Sequence, residues 1–286
     1  MRGSCRSVRF VAGLALPLSV LACRQLLGID DGVSTDAVPD ASTLASDGGD
    51  GDVAWCPQDA DLCDNFDDAG FALGWTQSIS TSRTQPDGGA CSVGLEPSDA
   101  SPPHALAVKV PNRSNEQFSC GLVRSFTQDR RSMHAAFDVR WEGSLTAAST
   151  GGNIFSAVFV GLVNGTNCLT YLSLELSGSG NLHLRVHGEG ARCTLPIDTG
   201  PLLPSLELNA WTHIDLSVHL TPPGNQPSNI STASVKVGSS KEISREFPRF
   251  FGVAIPIVHI GHAEFGAVSL GGRTLWFDNF AFSTMP

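Results

Sequence analysis

Basic side chains are scarce in this 286-residue chain. Lys and Arg number 18 against 28 Asp and Glu, so the formal net charge is −10. Binding to nucleic acid depends on clustered Lys and Arg that contact phosphates, and adsorption to anionic lipid depends on the same charges. The composition therefore argues against nucleic acid as a partner and against electrostatic attachment to a membrane.

Motifs of common hydrolase and redox sites are also missing. The sequence has no Cys-x-x-Cys, no Gly-x-Ser-x-Gly and no His-Glu-x-x-His, so thioredoxin-like, zinc-ribbon, serine-hydrolase and zinc-protease sites have no motif support. Retaining glycoside hydrolysis needs two carboxyl groups about 5 Å apart. The nearest alternating segments carry one acid each, Glu175 and Asp215. The sequence therefore predicts a non-enzyme, and glycoside hydrolase-like activity ranks third among the function hypotheses.

The N-terminal apolar run is short. It covers residues 10–21 and follows three arginines, whereas a membrane-spanning helix needs about 20 apolar residues. A positive segment followed by a short apolar segment is typical of a cleaved signal peptide. The sequence therefore predicts export, with residues 1–22 as the signal peptide.

The end of this run, Leu21-Ala22-Cys23, resembles the lipobox of bacterial lipoproteins. The resemblance implies that Cys23 carries a diacylglyceryl group, becomes the first mature residue and anchors the protein in the bacterial cell envelope through its acyl chains. Arg24 after the cysteine favours the outer membrane, and the periplasmic or surface face is left open. Ordinary signal cleavage beside an incidental cysteine is the alternative.

The segment after the cysteine is acidic and poor in apolar residues. Residues 29–53 contain seven aspartates and no Lys or Arg. Such a segment lacks the apolar surface that offsets the entropy of ordering. We therefore expect a disordered tether at 23–53 and one folded domain at 54–286.

Six cysteines are left once Cys5 and Cys23 are set aside. An even number in an exported chain predicts a set of disulfides, with 15 possible connectivities. Pairing in sequence order closes a short loop or joins neighbouring strands. We therefore favour Cys56–Cys63, Cys91–Cys120 and Cys168–Cys193.

Beyond residue 55 the apolar residues recur with a period of two. Residues 133–141 alternate between apolar and polar side chains, and residues 211–220 do the same. This alternation is typical of half-buried strands. Repeated over about a dozen segments with turn signals between them, it predicts an all-β, two-sheet antiparallel sandwich.

Three further segments refine this prediction. The nearly continuous apolar run at 154–163 predicts a central strand, and Gly178-Ser179-Gly180 predicts a hairpin turn between two alternating runs. Residues 239–250 form the one segment that is compatible with a helix, and Pro248 limits its length.

Three segments carry short patterns of their own. They are residues 62–68 with an Asp-x-Phe pattern followed by Trp75, residues 211–216 with a Trp-x-His-hydrophobic pattern, and residues 275–280 with Phe-Asp-Asn. Together they resemble the concanavalin A-like, laminin-G-like jelly-roll superfamily. The resemblance spans residues 62–283. It implies a jelly-roll sandwich of two antiparallel sheets, one of them curved, with the first and last strands adjacent. Fold alone does not define function.

The same superfamily often holds a structural calcium ion near its first and last strands, and no other cofactor is expected. The resemblance therefore implies a calcium site, for which four residues supply carboxylate oxygens: Asp64, Asp67, Asp68 and Asp278. Capping of turns is the alternative role of such residues. His259 and His262 are three apart, and a strand places such residues on opposite faces, so they do not chelate one metal ion.

Polar side chains occupy the non-core faces of three predicted strands. Tyr171 and Glu175 share one face, Arg185 lies on the next strand, and His213 lies on the strand at 211–220. If these strands are neighbours, the four side chains form a surface suited to sugar hydroxyls. The main hypothesis is a lipid-anchored binding module for glycan or another envelope polymer. The alternative is a structural or protein-interaction lipoprotein, since polar residues cover any solvated sheet face.

Overall fold

The alternating segments form β-strands in the computed structural model. The structure describes residues 56–67, 75–81, 91–97, 104–110, 113–114, 118–128, 130–143, 152–163, 166–177, 180–189, 195–220, 230–248, 255–264, 269–270 and 272–285. The strands of these residues are β1 (Leu62–Asp64), β2 (Thr76–Thr81), β3 (Ser92–Pro97), β4 (His104–Val110), β5 (Arg113–Ser114), β6 (Phe118–Ser125), β7 (Ser132–Gly143), β8 (Gly152–Val163), β9 (Thr166–Leu176), β10 (Asn181–Glu189), β11 (Leu195–Ser205), β12 (Thr212–His219), β13 (Ile230–Val237), β14 (Ile243–Pro248), β15 (Ile255–Glu264), β16 (Ser269–Leu270) and β17 (Arg273–Met285).

Two antiparallel sheets contain all but two of these strands, as the alternation predicts. The eight-stranded sheet has the order β14-β13-β12-β7-β17-β4-β3, with β1 also paired to β17. The seven-stranded sheet has the order β11-β10-β9-β8-β15-β6-β2. β8 therefore lies at the centre of its sheet, and β9 and β10 form the predicted hairpin. β5 and β16 pair with each other.

The core lies between the two sheets and is rich in phenylalanine. The ring of Phe137, on β7, lies 5.5 Å from that of Phe155, on β8, so this contact joins the sheets. Phe137 also packs against Phe277 and Phe280 of β17, with ring centroids 6.2 and 6.1 Å away. All four side chains are fully buried, and each such burial contributes about 1.5–3 kcal/mol to folding. The period of two leaves the polar side chains on the outer faces.

The first and last strands are adjacent, as the family resemblance implies. β1 pairs with β17, so that Leu62 lies opposite Phe282. Asp61 reinforces this pairing, because its Oδ2 accepts hydrogen bonds from the backbone nitrogen and the hydroxyl of Thr284 at 2.6 and 2.5 Å. The two ends of the described domain are thereby fastened to each other.

The segment that is compatible with a helix is a strand instead. β14 pairs with β13 from Ile243 opposite Val235 to Pro248 opposite Ile230. The segment completes the edge of the eight-stranded sheet and buries Phe247 there, and such tertiary contacts override weak local propensity. Arg245 also donates from Nη1 to the carbonyl oxygen of Leu184 at 3.2 Å, which ties this edge to the other sheet.

Two of the three predicted disulfides are present. Cys56–Cys63 spans 5.9 Å between Cα atoms, and Cys91–Cys120 spans 6.3 Å. The second bridge joins the start of β3 in one sheet to β6 in the other. The predicted pair Cys168–Cys193 lies outside the described side chains.

The signal segment, Cys23 and the acidic tether also lie outside the described residues, so their roles stay predictions. Across the described part of the chain, none of the secondary structure is a helix long and apolar enough to cross a lipid bilayer.

Candidate functional site

The outer face of the seven-stranded sheet carries three of the four predicted ligand-binding residues. On β9, Leu172 and Leu174 are buried in the core, so Tyr171 and Glu175 point outward. On β10, Arg185 points outward by the same alternation. We call this surface the seven-strand face. Its principal described side chains are Ser119, Val123, Asn153, Ser156, Val158, Tyr171, Ser173, Glu175, His183, Arg185, Ile257 and His259.

Cross-strand register aligns these side chains into rows. Arg185 lies opposite Ser173, Ser173 opposite Ser156, and Ser156 opposite His259, across four neighbouring strands. At the usual strand spacing this row is about 14 Å long. Ser173 and His259 are buried, while Arg185 and Tyr171 are half-buried. Ser156 is half-buried as well, so exposed and buried polar groups alternate along the row.

Glu175 and Arg185 form an ion pair on this face. The carboxylate of Glu175 contacts Nε of Arg185, and Glu175 is the more buried partner. Burial raises the pKa of Glu175, and the Arg185 guanidinium opposes that rise without cancelling it. His183 lies directly opposite Glu175. Burial lowers the pKa of His183, and the charge of Arg185 lowers it further. Glu175, Arg185 and His183 together offer hydrogen-bond donors and acceptors to hydroxyl-bearing ligands.

His259 is a functional candidate that sequence reasoning considered only as a metal ligand paired with His262. It lies on the seven-strand face, and its Nε2 is 3.3 Å from the hydroxyl oxygen of Ser119. Burial lowers the pKa of His259 to about 4, so the imidazole is neutral at pH 7. Its Nδ1 has no hydrogen-bond partner among the described residues. The sequence signal that could have identified His259 is its position as a polar residue within the apolar run of β15.

His262 takes a different position, as the strand geometry predicts. It lies inside the sandwich, where its Nε2 accepts a hydrogen bond from Nη2 of Arg273 at 3.1 Å. Burial lowers the pKa of His262 well below its ordinary value, and the nearby Arg273 and His259 lower it further. The two histidines therefore serve different environments and do not form one site.

The structure does not bring His213 to the seven-strand face. β12 belongs to the eight-stranded sheet, so His213 lies on the opposite outer face of the sandwich. There it lies 2.8 Å from Asp138, and this hydrogen bond raises the pKa of His213. Asn279 donates from Nδ2 to the same carboxylate at 2.8 Å. Burial would raise the pKa of Asp138, but these two hydrogen bonds hold it below its ordinary value.

A shallow cavity lies on the same outer face as His213. Its volume is about 300 Å³, and it lies over β7, β12, β13 and β17. Ser217, Thr232 and Ser283 supply hydroxyl groups, and His134 and His219 supply imidazoles. This cavity contains none of the four predicted ligand-binding residues. It is a second polar surface that a binding experiment has to distinguish from the seven-strand face.

Three of the four predicted calcium ligands lie close together where β1 meets β17. Asp64 accepts a hydrogen bond from the backbone nitrogen of Phe66 at 2.9 Å, and Asp67 accepts from Nδ2 of Asn65 at 2.8 Å. Through these local hydrogen bonds, Asp64 and Asp67 stabilise the turn, as the turn-capping alternative predicts. Among the described residues, no group of three or more His, Cys, Asp or Glu side chains is arranged to hold a metal ion. Asp68 lies outside the described residues, and calcium stays a prediction.

Asp278 has an unusual environment in this cluster. It is 1% exposed, its Oδ1 accepts from the backbone nitrogen of Asn279 at 2.7 Å, and its Oδ2 has no hydrogen-bond partner among the described residues. Burial raises the pKa of Asp278 to about 7, with further contributions from the carboxylates of Asp67, Asp138 and Asp64. Asp278 also lies directly opposite Asp138 in the β7–β17 ladder.

Comparison with known proteins shows the fold. No protein-family model matches the chain, and no curated protein matches it in sequence. Among solved structures, alginate lyase vAL-1 from Chlorella virus matches with a TM-score of 0.52 and 12% identity, covering 68% of this chain and 89% of that protein. The Emp47p carbohydrate recognition domain matches with a TM-score of 0.44 and 13% identity, covering 83% of this chain and all of that domain. The sheet order and the first likeness show a two-sheet antiparallel jelly-roll sandwich, and such a fold serves binding modules and enzymes alike.

Proposed function

We propose that this protein is a non-catalytic binding module that takes a glycan or another envelope polymer on its seven-strand face. The observation that carries the proposal is the row from Arg185 through Ser173 and Ser156 to His259, four polar side chains aligned across four neighbouring strands. Ser156 and Arg185 are half-buried, so their hydroxyl and guanidinium groups are the members of the row that a ligand hydroxyl can contact. Tyr171, two residues from Ser173 on β9, supplies the aromatic surface on which a sugar ring packs.

The likeness to an alginate lyase is consistent with a polysaccharide ligand, because that enzyme is named for its action on one. At 12% identity it assigns no ligand and no residue role to this chain. The proposal therefore rests on the side chains of the seven-strand face.

A glycan-array screen of the purified full chain tests the proposal. We expect binding to a restricted set of glycans, and we expect Tyr171→Ala to weaken it, because the aromatic surface is lost while the core leucines of β9 are untouched. Ser217→Arg is the matched control, since it fills the cavity on the other sheet. Circular dichroism establishes that each variant is folded.

Three outcomes would count against the proposal in different ways. Binding that survives Tyr171→Ala but is lost in Ser217→Arg would move the site to the other outer face. Binding that survives both changes would exclude both surfaces as the binding site. If the folded protein binds no glycan on the array, the structural or protein-interaction lipoprotein becomes the favoured hypothesis.

The proposal also includes the cell location. Cys23 with its acyl chains would hold the domain at the bacterial outer membrane, and the acidic tether at 23–53 would separate the domain from the lipid. Metabolic labelling with a radioactive fatty acid tests this directly. We expect labelling of the wild-type protein and none of Cys23→Ser, and an unlabelled wild-type protein would contradict lipidation.

A carbohydrate-active enzyme is the second candidate, favoured by one observation. Asp138 and Asp278 lie opposite each other, and the environment lowers one pKa while it raises the other. Such a division is the pattern of an acid and a base or nucleophile. Against it, Asp278 is almost fully buried, whereas a catalytic acid must reach the glycosidic oxygen. New reducing ends from an array-selected polymer, lost in Asp138→Asn, would support the enzyme.

A further inference from the structure

The described side chains of the seven-strand face carry almost no net charge. Among the described side chains that point outward from this sheet, Glu175 and Arg185 are the acidic and basic ones, and they form an ion pair with each other. The others are hydroxyl, amide, imidazole or short aliphatic groups. Because each side chain of the pair neutralises the other, neither is available to pair with a charged group of a ligand.

The two described imidazoles of the face, those of His183 and His259, do not change this balance at neutral pH. Burial lowers the pKa of His259 to about 4, and burial and Arg185 lower the pKa of His183 below its ordinary value. Both rings are therefore neutral hydrogen-bonding groups. The formal net charge of the whole chain, −10, adds a field that repels polyanions.

We infer that the ligand class of this face is an uncharged, hydroxyl-rich polysaccharide, and that polyuronates such as alginate are excluded. This inference rests on the proposed glycan-binding function. A polyuronate places one carboxylate on every sugar ring and needs unpaired cations that follow the chain. A neutral polymer needs what the face offers, which is neutral donors and acceptors, an aromatic ring and one internally compensated ion pair.

A matched pair of polymers tests the inference. Alginate and carboxyl-reduced alginate have the same backbone and differ in carboxylate against hydroxymethyl. We expect the full chain to bind the reduced polymer at least about tenfold more tightly at low ionic strength, because like-charge contacts and an unmatched carboxylate oppose alginate binding. Binding to the reduced polymer should depend little on salt.

Glu175→Gln sharpens the test, because it is close in shape and leaves Arg185 as an unpaired cation. We expect it to increase alginate affinity by about fivefold or more. The double variant Glu175→Gln, Arg185→Gln restores a neutral face and should return the wild-type preference, which also controls for loss of the half-buried ion pair.

The outcomes separate the two proposals. Wild-type binding to alginate that equals or exceeds binding to the reduced polymer would overturn the inference while leaving glycan binding intact. If the protein binds neither polymer and no glycan on the array, the proposed function is refuted, and the inference with it.

Discussion

Replacement of Asp278 by asparagine is expected to stabilise the protein at neutral and alkaline pH. In the folded state, burial raises the pKa of Asp278 to about 7, with further contributions from Asp67, Asp138 and Asp64. An aspartate in an unfolded chain titrates near 3.9, and each pKa unit corresponds to about 1.4 kcal/mol. The difference of about 3 units therefore costs the folded protein up to about 4 kcal/mol once Asp278 must ionise.

The sign follows from proton binding. Between about pH 4 and pH 7 the folded state holds a proton on Asp278 that the unfolded state has lost, so the free energy of unfolding falls as pH rises through this window. Below about pH 4 both states are protonated, and above about pH 7 both are ionised. The amide side chain of the Asp278→Asn variant cannot ionise, and it keeps an oxygen that accepts from the backbone nitrogen of Asn279.

The assay is urea unfolding of wild type and Asp278→Asn from pH 4 to pH 8, with EDTA present throughout. We expect equal stability near pH 4 and a variant that is more stable by about 2–4 kcal/mol at pH 8, because local relaxation reduces the full penalty. Subtraction of the two profiles cancels other titrating groups such as His213. Asp59→Asn, at an exposed turn, controls for the loss of one negative charge. Parallel profiles for wild type and Asp278→Asn would refute the reasoning.

Three further predictions concern the framework of the site. Replacing Cys91 and Cys120 by serine should lower the free energy of unfolding by about 3.6 kcal/mol, the loop-closure value for a separation of 29 residues, and an unchanged urea midpoint would contradict it. Gly121→Ala should lower the free energy of unfolding by about 1–3 kcal/mol and weaken binding. The added Cβ would lie 2.0 Å from the carbonyl oxygen of Ile260 and 2.8 Å from Nε2 of His259. Gly94→Ala is the control, because there is open space around Gly94, and its melting temperature should equal that of wild type. A structural calcium ion should stabilise by about 2.7 kcal/mol at 100 times its Kd, so equal melting temperatures in calcium and in EDTA would count against the calcium prediction.

The sequence predicts the strands well because each one faces a core on one side. β7 and β12 lie where the alternation at 133–141 and 211–220 places them, and their apolar side chains are buried. The orientation of a strand follows from its own pattern, since a shift of one residue would expose every apolar side chain.

Sheet membership is harder to predict, because it depends on pairing between distant segments. His213 has the predicted outward orientation, but β12 pairs with β7 and β13 rather than with β9 and β10. The opposition of Asp138 and Asp278 is likewise a matter of register between strands 140 residues apart. β14 is a strand because a sheet edge was available to it, which no local pattern encodes.

The central claim is that the binding surface is the seven-strand face and not the outer face on which His213 lies. Isothermal titration with an array-selected glycan, comparing wild type, Tyr171→Ala and His213→Ala, tests it most directly. We predict that Tyr171→Ala weakens binding by about tenfold or more, as expected for an aromatic anchor, and that His213→Ala stays within about twofold of wild type. A loss of affinity in His213→Ala with wild-type affinity in Tyr171→Ala would contradict the account.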